Sequence, residues 1–268
     1  MNGVSDLRLG LACARAGILP SLIPYTYTVD EFKAAVTEIK QVSDELQVAY
    51  TFTDIVSNAN LIIELGITHI EILEFAEADL TADNFKVIDN LRTQGVTVIL
   101  KILKPTVIPL FLNHIDAVTI KGSEGAGRSA QGIDLLKEIP LLRKQYPTLN
   151  VIASGGVKNG NDIRNLVAAG ACAISIGTLF AVSEESSIPH GVKVKLLNST
   201  GSDIRRLRAG ARQRAIVFSD TNDDDFNNTN GLTAGLATGD KGHVFIGNAI
   251  DSVSGILTVQ EIVNQLLV

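Results

Sequence analysis

A single α/β barrel of the (β/α)8 type is the fold this sequence predicts. Three observations predict it. The chain has 268 residues, the size of one such barrel. Short apolar, β-branched runs alternate with helix-patterned stretches, which implies βαβ units on a parallel sheet. Glycines follow the helical stretches at Gly17, Gly66, Gly95 and Gly170, where a left-handed cap releases the chain into the next strand.

The composition agrees. Hydrophobic residues make up 46% and charged residues 19%, and Trp is absent, so the core is built from Ile, Leu, Val and Ala, as in a parallel sheet buried on both faces. A net charge of −6 excludes a general nucleic-acid binder, which needs clustered Lys and Arg. No apolar run is long enough for a membrane span, and the first residues carry no secretory signal pattern; a cytoplasmic protein is expected. Cys13 and Cys172 read as small buried hydrophobes, with no disulfide and no metal site.

In chain order, the candidate helices are Asp6–Ala16, Val29–Ser43, Val56–Leu65, Ala82–Thr93, Thr106–Asn113, Gly132–Tyr146 and Asn161–Ala169. Each carries apolar residues at helical spacing. The candidate strands are Leu19–Ile23, Leu46–Phe52, His69–Glu74, Val96–Leu103, Ala117–Lys121, Asn150–Ser154 and Ala173–Ile176. That makes seven strands where a closed barrel wants eight. Either the first strand is short or missing, or a C-terminal segment fills its place, or the start lies upstream. Residues 1–182 are expected to form the barrel. Residues 183–268 are expected to form a helical and lid-like appendage: a helix over Ser202–Val217 carrying Arg205, Arg206, Arg208, Arg212 and Arg214, a loop over Ser219–Gly242, and a helix over Thr258–Leu267. The Asp223–Asp225 run reads as solvated loop.

In such barrels, chemistry gathers at the C-terminal ends of the strands, with phosphate after strands seven and eight. Two segments fit. Ala153-Ser154-Gly155-Gly156-Val157 follows a strand and precedes a helix, and Ser175-Ile176-Gly177-Thr178 ends the next strand. Glycine lets backbone N–H groups approach a phosphate closely, and the Thr178 hydroxyl adds a hydrogen bond. A third segment, Lys121 to Arg128, contains Gly122, Gly125 and Gly127 and puts Glu124 and Arg128 at the mouth. Glu74 stands at another strand end, where burial would raise its pKa toward that of a base. Of the histidines, His69 and His114 read as structural, while His190 and His243 are placed nearer the mouth.

The order of these segments resembles the nitronate monooxygenase (2-nitropropane dioxygenase) family of FMN-dependent barrels, which includes flavin-dependent enoyl-acyl-carrier-protein reductases. The resemblance runs from Met1–Ser5 through the Ala12–Gly17 helix end, Lys101, Asp116–Gly127, Ile152–Val157 and Ile176–Phe180 to Gly247–Ile262. It implies FMN with its phosphate on Ser154, Gly155, Gly156, Gly177 and Thr178 and its ring near Met1–Gly3, Lys101, Gly122 and Gly127. It implies an oxidoreductase acting on a small nitro, carbonyl or enoyl substrate, with Arg128, Glu124 and Glu74 as candidate catalytic residues. NAD(P)H or an acyl-carrier protein are partners to consider, the arginine-rich segment being the place for either; the oligomeric state stays open.

The chain departs from that family in three ways. Arg128 stands where the family loop ends in the acid/base His, and arginine stays protonated. Val48-Ala49-Tyr50-Thr51 lacks the family's Asn, some of whose contacts Tyr50 would replace. The first strand is short or missing. These departures keep a second expectation open: a catalytically degenerate barrel that binds a flavin or phosphate ligand, or serves as a partner subunit. An inosine-monophosphate-dehydrogenase-type barrel is disfavoured, because the loop after Lys121 has no catalytic Cys.

Overall fold

The computed structural model describes residues 4–128, 131–207, 213–218 and 229–268. Seven parallel strands form the main sheet: β1 (Ser21–Leu22), β2 (Gln47–Tyr50), β3 (His69–Ile72), β4 (Thr97–Ile102), β5 (Ala117–Lys121), β7 (Asn150–Ser154) and β8 (Ala173–Ser175), in that spatial order. The remaining strand of this part of the chain, β6 (Gly127–Arg128), joins a second sheet. The main sheet curls into an open barrel whose edges are β1 and β8 among the described residues. None of the C-terminal strands described below joins the main sheet at that gap.

The helices are α1 (Leu7–Arg15), α2 (Val29–Lys40), α3 (Phe52–Ser57), α4 (Ala59–Glu64), α5 (Ala82–Thr93), α6 (Leu135–Gln145) and α7 (Gly160–Ala168). Their starts are set by side-chain caps. Thr28 and Glu31 make a reciprocal capping box on α2, and Asp6, Thr81 and Asn159 accept from the first-turn amides of α1, α5 and α7. Each cap satisfies an amide the helix leaves unpaired. Val118 and Ile120 of β5, Ile70 and Ile72 of β3, and Val98, Leu100 and Ile102 of β4 face these helices in one continuous core. With a side-chain period of two, the residues between them face the barrel axis.

Three local readings are corrected. The helix expected over Val56–Leu65 is two helices, α3 and α4, because Thr51 starts the first early and Asn58, at φ −107°, breaks the run. The helix expected over Thr106–Asn113 is a 3-10 stretch, Pro105–Leu110, with Pro109 inside it removing an α-helical donor. Cys172 is exposed rather than buried, whereas Cys13 is buried, its thiol pushed up to about 12 chiefly by desolvation.

Beyond β8 come α8 (Thr178–Ala181), α9 (His190–Leu197), β9 (Ile204–Leu207), β10 (Gln213–Val217), α10 (Thr229–Ala237), β11 (His243–Val244) and α11 (Val259–Leu266). The arginine-rich segment is therefore not a helix. It is an antiparallel pair, β9 with β10, because Ile204 to Leu207 and Ala215 to Val217 supply β-type sequence on either side of Gly210. Arg208 and Arg212 lie outside the described residues, as do Met1–Gly3 and the Asp223–Asp225 run. The loop expected up to Gly242 contains α10. β10 also pairs with β11 and, across the chain, with β6. A second apolar cluster joins this region to one face of α1, through Val4, Leu9, Cys13, Ile216, Val244 and Val263. No helix among the described residues is long and apolar enough to cross a membrane.

The packing of α10 on β11 is testable. A Cβ on Gly235 would run into the His243 backbone, whereas one on Gly255 would meet open space. Gly235→Ala is expected to cost about 1–3 kcal/mol by overpacking and to lower Tm by several degrees in a thermal melt, with Gly255→Ala unchanged.

Candidate active site

The side-chain alternation of β3, β4 and β5 gathers polar groups inside the barrel. Glu71 is almost fully enclosed, and its carboxylate receives the Lys101 ammonium at 2.7 Å. Burial works to raise the Glu71 pKa, but the Lys101 charge, its hydrogen bond and one from Thr119 outweigh burial and hold the carboxyl below its ordinary value. Thr119 is itself buried. Two residues further along β5, Lys121 points the same way, and its ammonium donates to the Ala126 carbonyl. The sequence places Lys101 here, favours Glu74 over Glu71 on the same strand, and gives Lys121 no role beyond ending its strand and opening the Gly-rich loop. The signal was available: a charged residue alternating with β-branched ones inside a buried parallel strand has nowhere to go but the barrel axis.

Glu74 and Arg128 are brought together, but at the rim. They form an ion pair at 2.6 Å, each about half exposed. Solvent screens such a pair, so its worth is about 1 kcal/mol at most, and neither residue reaches the buried cluster. Tyr50 is corrected: it packs in the outer core, edge-on to Tyr25 and Phe32, while Ala49 takes the axial direction.

The Gly-rich loop is held from the C-terminal half of the chain. Gly127 pairs in register with Arg214 and Arg128 with Gln213. The Arg214 guanidinium donates to the Ser123 and Gly125 carbonyls and, at 2.6 Å, to Asn248 Oδ1. Asn248 N–H in turn donates to the Glu124 carbonyl at 3.0 Å. Arg214 is thus an internal clamp on the loop rather than part of a helical docking face for an acyl-carrier protein or a nicotinamide cofactor.

At the end of β7, Gly155 and Gly156 have φ of +96° and +81°, a region other residues enter only with strain. A Cβ on Gly155 would come within 2.8 Å of Gly125 Cα, so the turn and the loop lie in contact. Ser154 is buried, and its carbonyl accepts from Gly122 N–H. Gly177 caps α8, and Thr178 Oγ1 accepts from Gly247 N–H at 3.0 Å. That bond uses a lone pair and leaves the hydroxyl hydrogen for another acceptor. Such an arrangement of backbone and hydroxyl donors can hold an anion. The Glu124 side chain, placed at the mouth by the sequence, instead lies against Gly156. A cleft of about 550 Å3 opens beside this turn, lined by Gly122, Glu124, Asp134, Gly155, Gly156 and Asp162.

The histidines lie elsewhere. His69 starts β3 at the opposite end of the strand and contacts Thr68. His114 is held by Asp89 at 2.9 Å and stacked on Phe85. His190 opens α9 on the surface, and His243 is buried in β11.

The family model described as Nitronate monooxygenase matches residues 1–268. A carboxyl-CoA dehydrogenase of Mycobacterium tuberculosis, acting on a hydroxy-methyl-oxo-octahydro-indene, is 28% identical over 204 residues, 74% of this chain and 56% of the relative. Its namesake from Rhodococcus jostii is 28% identical over 202 residues, 74% of this chain and 54% of the relative. The chain spans about half the length of these curated relatives. Among solved structures, FabK of Thermotoga maritima superposes with a TM-score of 0.82 at 20% identity, covering 100% of this chain and 89% of that one. A nitroalkane oxidase of Streptomyces ansochromogenes gives 0.75 at 17% identity, covering 98% and 93%. At these identities the structures speak to the fold, an open-barrel relative of theirs.

The buried ion pair has a stability consequence. Removing one partner, as in Lys101→Met, is expected to cost about 3–5 kcal/mol by stranding the Glu71 charge, and the double change with Glu71→Gln to recover most of it. Because the folded Glu71 pKa lies below the ordinary 4.5, its stabilisation is present above that pH and is lost as pH falls below it. Acid denaturation curves should show the wild type losing stability in that range relative to the double variant.

Proposed function

The chain belongs to the nitronate monooxygenase family, and on that premise we propose that it is an FMN-dependent oxidoreductase acting on a small substrate activated by a nitro, carbonyl or enoyl group. The observation that carries this reading is the doubled left-handed glycine turn at Gly155 and Gly156, one strand from the Thr178 hydroxyl, beside a mouth that holds Glu71, Lys101 and Lys121. The turn and hydroxyl suit a phosphate, and the lysines suit the negative charge of a reduced ring or an activated substrate.

In this reading Gly155, Gly156, Gly177 and Thr178 hold the phosphate, with Ser154 supporting the turn. Lys101, Gly122 and Gly127 lie toward the ring. When bound, FMN supplies the redox chemistry, and the protein supplies position, charge and exclusion of water. Lys101, fixed by Glu71, offers a cation whose geometry does not have to be found at the moment of reaction. The loop clamped by Arg214 covers the phosphate turn. Glu124 must swing away from Gly156 for an anion to settle there, which the free end of an exposed side chain allows. The carboxyl-CoA relatives support thioesters among the substrates to screen, and NAD(P)H is the electron partner we propose to test with them.

One observation favours a second reading. Arg128 and Glu74 neutralise each other at the rim and supply no base there, which suits a barrel that binds a flavin or phosphate ligand without turnover.

The purified protein, mixed with excess FMN and freed of the unbound fraction, is expected to show the oxidised-flavin band near about 450 nm. Thr178→Val should weaken retention by about tenfold, the worth of one good hydrogen bond, and Thr178→Ser should restore it. A wild type that retains no flavin overturns the reading. Flavin retained without turnover of NAD(P)H and any substrate selects the second one.

A further inference from the structure

Among the described residues, two cations at the mouth form no ion pair with a carboxylate: Lys121, and Arg214, whose guanidinium is spent on loop carbonyls and Asn248. Lys101 is neutralised by Glu71 at 2.7 Å, and Arg128 by Glu74 at 2.6 Å. Lys121 forms no salt bridge among the described residues. Its ammonium rests on a neutral carbonyl, that of Ala126 in the same loop. The groups facing it come from every neighbouring strand. β4 supplies Lys101, β3 supplies Glu71, and β10 supplies Arg214; β7 supplies Ser154, its register partner, which does not titrate. Two of these three charged neighbours are cations, and one of them, Lys101, is already paired to the third, Glu71.

Resting on the flavin reading above, we infer that Lys121 is the acid–base group of this site. As the neutral amine, its nitrogen lone pair takes the proton from the substrate carbon beside the electron-withdrawing group. The C–H bond breaks, its electron pair moves onto the substrate as a nitronate or enolate, and the charge comes to rest on oxygen. Lys121 becomes the ammonium, and the positive charge of Lys101 beside it favours the new anion. In the reverse direction the ammonium returns the proton to carbon. No oxidant is needed for this half of the reaction.

The environment suits that role. Burial, then Lys101, push the amine down to about 7, with Glu71 opposing and Arg214 adding to the shift. An amine poised there is present in both forms near neutrality, the condition for efficient general acid–base catalysis. The other candidates fail on chemistry or place. An arginine does not deprotonate, Glu71 is held ionised by its partner, and His69 sits at the far end of its strand.

Two measurements test the inference. The first needs no activity. Between pH 7 and the ordinary lysine value of 10.5, the unfolded amine binds a proton that the folded one does not, so the stability contributed by this group rises with pH. The Tm of the wild type minus that of Lys121→Met should therefore climb across that range, and a flat difference overturns the proposal. The second follows deuterium exchange at the α-carbon of nitroethane and of a short-chain acyl thioester, by NMR, using flavin-loaded protein. Exchange should rise through about pH 7 and fall by at least about 100-fold in Lys121→Met, and Lys121→Arg should not rescue it. Flavin retained with exchange unchanged in Lys121→Met, or with no exchange by the wild type, overturns the role of Lys121 and leaves the cofactor reading standing. No flavin retained while the Tm difference still climbs overturns the cofactor reading and with it the catalytic role, leaving a lysine with a depressed pKa in a ligand-free mouth.

Discussion

Side chains on a parallel strand alternate between two environments, and in β3, β4 and β5 that alternation separates grease from charge. Ile70, Ile72, Val98, Leu100, Val118 and Ile120 go outward to the helices. Glu71, Lys101, Thr119 and Lys121 go inward. The charged set does not tolerate the outer place, since an unpaired charge among the helices would cost several kcal/mol. The register is therefore determined, and a slip by one residue in any of the three strands would exchange the two sets. The Glu71–Lys101 pair then supplies what the axis needs, a charge in low dielectric with its partner at hydrogen-bond distance.

The second constraint is the tie between the mouth and the C-terminal sheet. The barrel side holds the Gly122–Arg128 loop at its start, where Gly122 N–H donates to the Ser154 carbonyl and Ser123 N–H to that of Ile133; the rest of its support comes from further along the chain. There β6 pairs with β10, Arg214 collects the loop's carbonyls, and Gly247 and Asn248 tuck against Thr178 and Glu124. The residues that line the candidate site thus come from the barrel, but their positions are set by chain nearly 100 residues further on.

This division explains what could be read in advance. Ala117–Lys121 and Asn150–Ser154 have in the structure the bounds expected from the sequence, because short runs of buried β-branched residues between turn signals admit one interpretation. The Gly155-Gly156 turn was legible as a tight turn or a close approach to phosphate, and the left-handed backbone at both glycines is what the structure adds. The pairing of Glu71 with Lys101 was not, because it joins positions 30 apart whose proximity exists only once β3 and β4 lie side by side. The arginine-rich segment misled because charges at mixed spacing mask period. Ile204, Leu207, Ala215 and Ile216 are too few to declare a strand until β6 offers an edge to pair with. Lys121 reads as the end of its strand, but the Gly-Ser-Glu-Gly that follows masks its inward course, because such a stretch reads as solvated loop.

The bond from Arg214 to Ser123 closes a span of 91 residues, and this bears on the order of assembly. Contacts between distant parts of a chain form late, after the loop between them has been closed at an entropic cost. During synthesis β5 and β7 emerge well before β10, so the barrel wall can pack while its mouth is still unformed. Until Arg214 arrives, the loop lacks its clamp and the turn at Gly155 lacks its cover. The site is then the last part of the molecule to take shape. A polypeptide still being made would present a packed wall with its mouth unclamped, so the shape of the candidate site reports the arrival of Arg214 rather than the folding of the barrel.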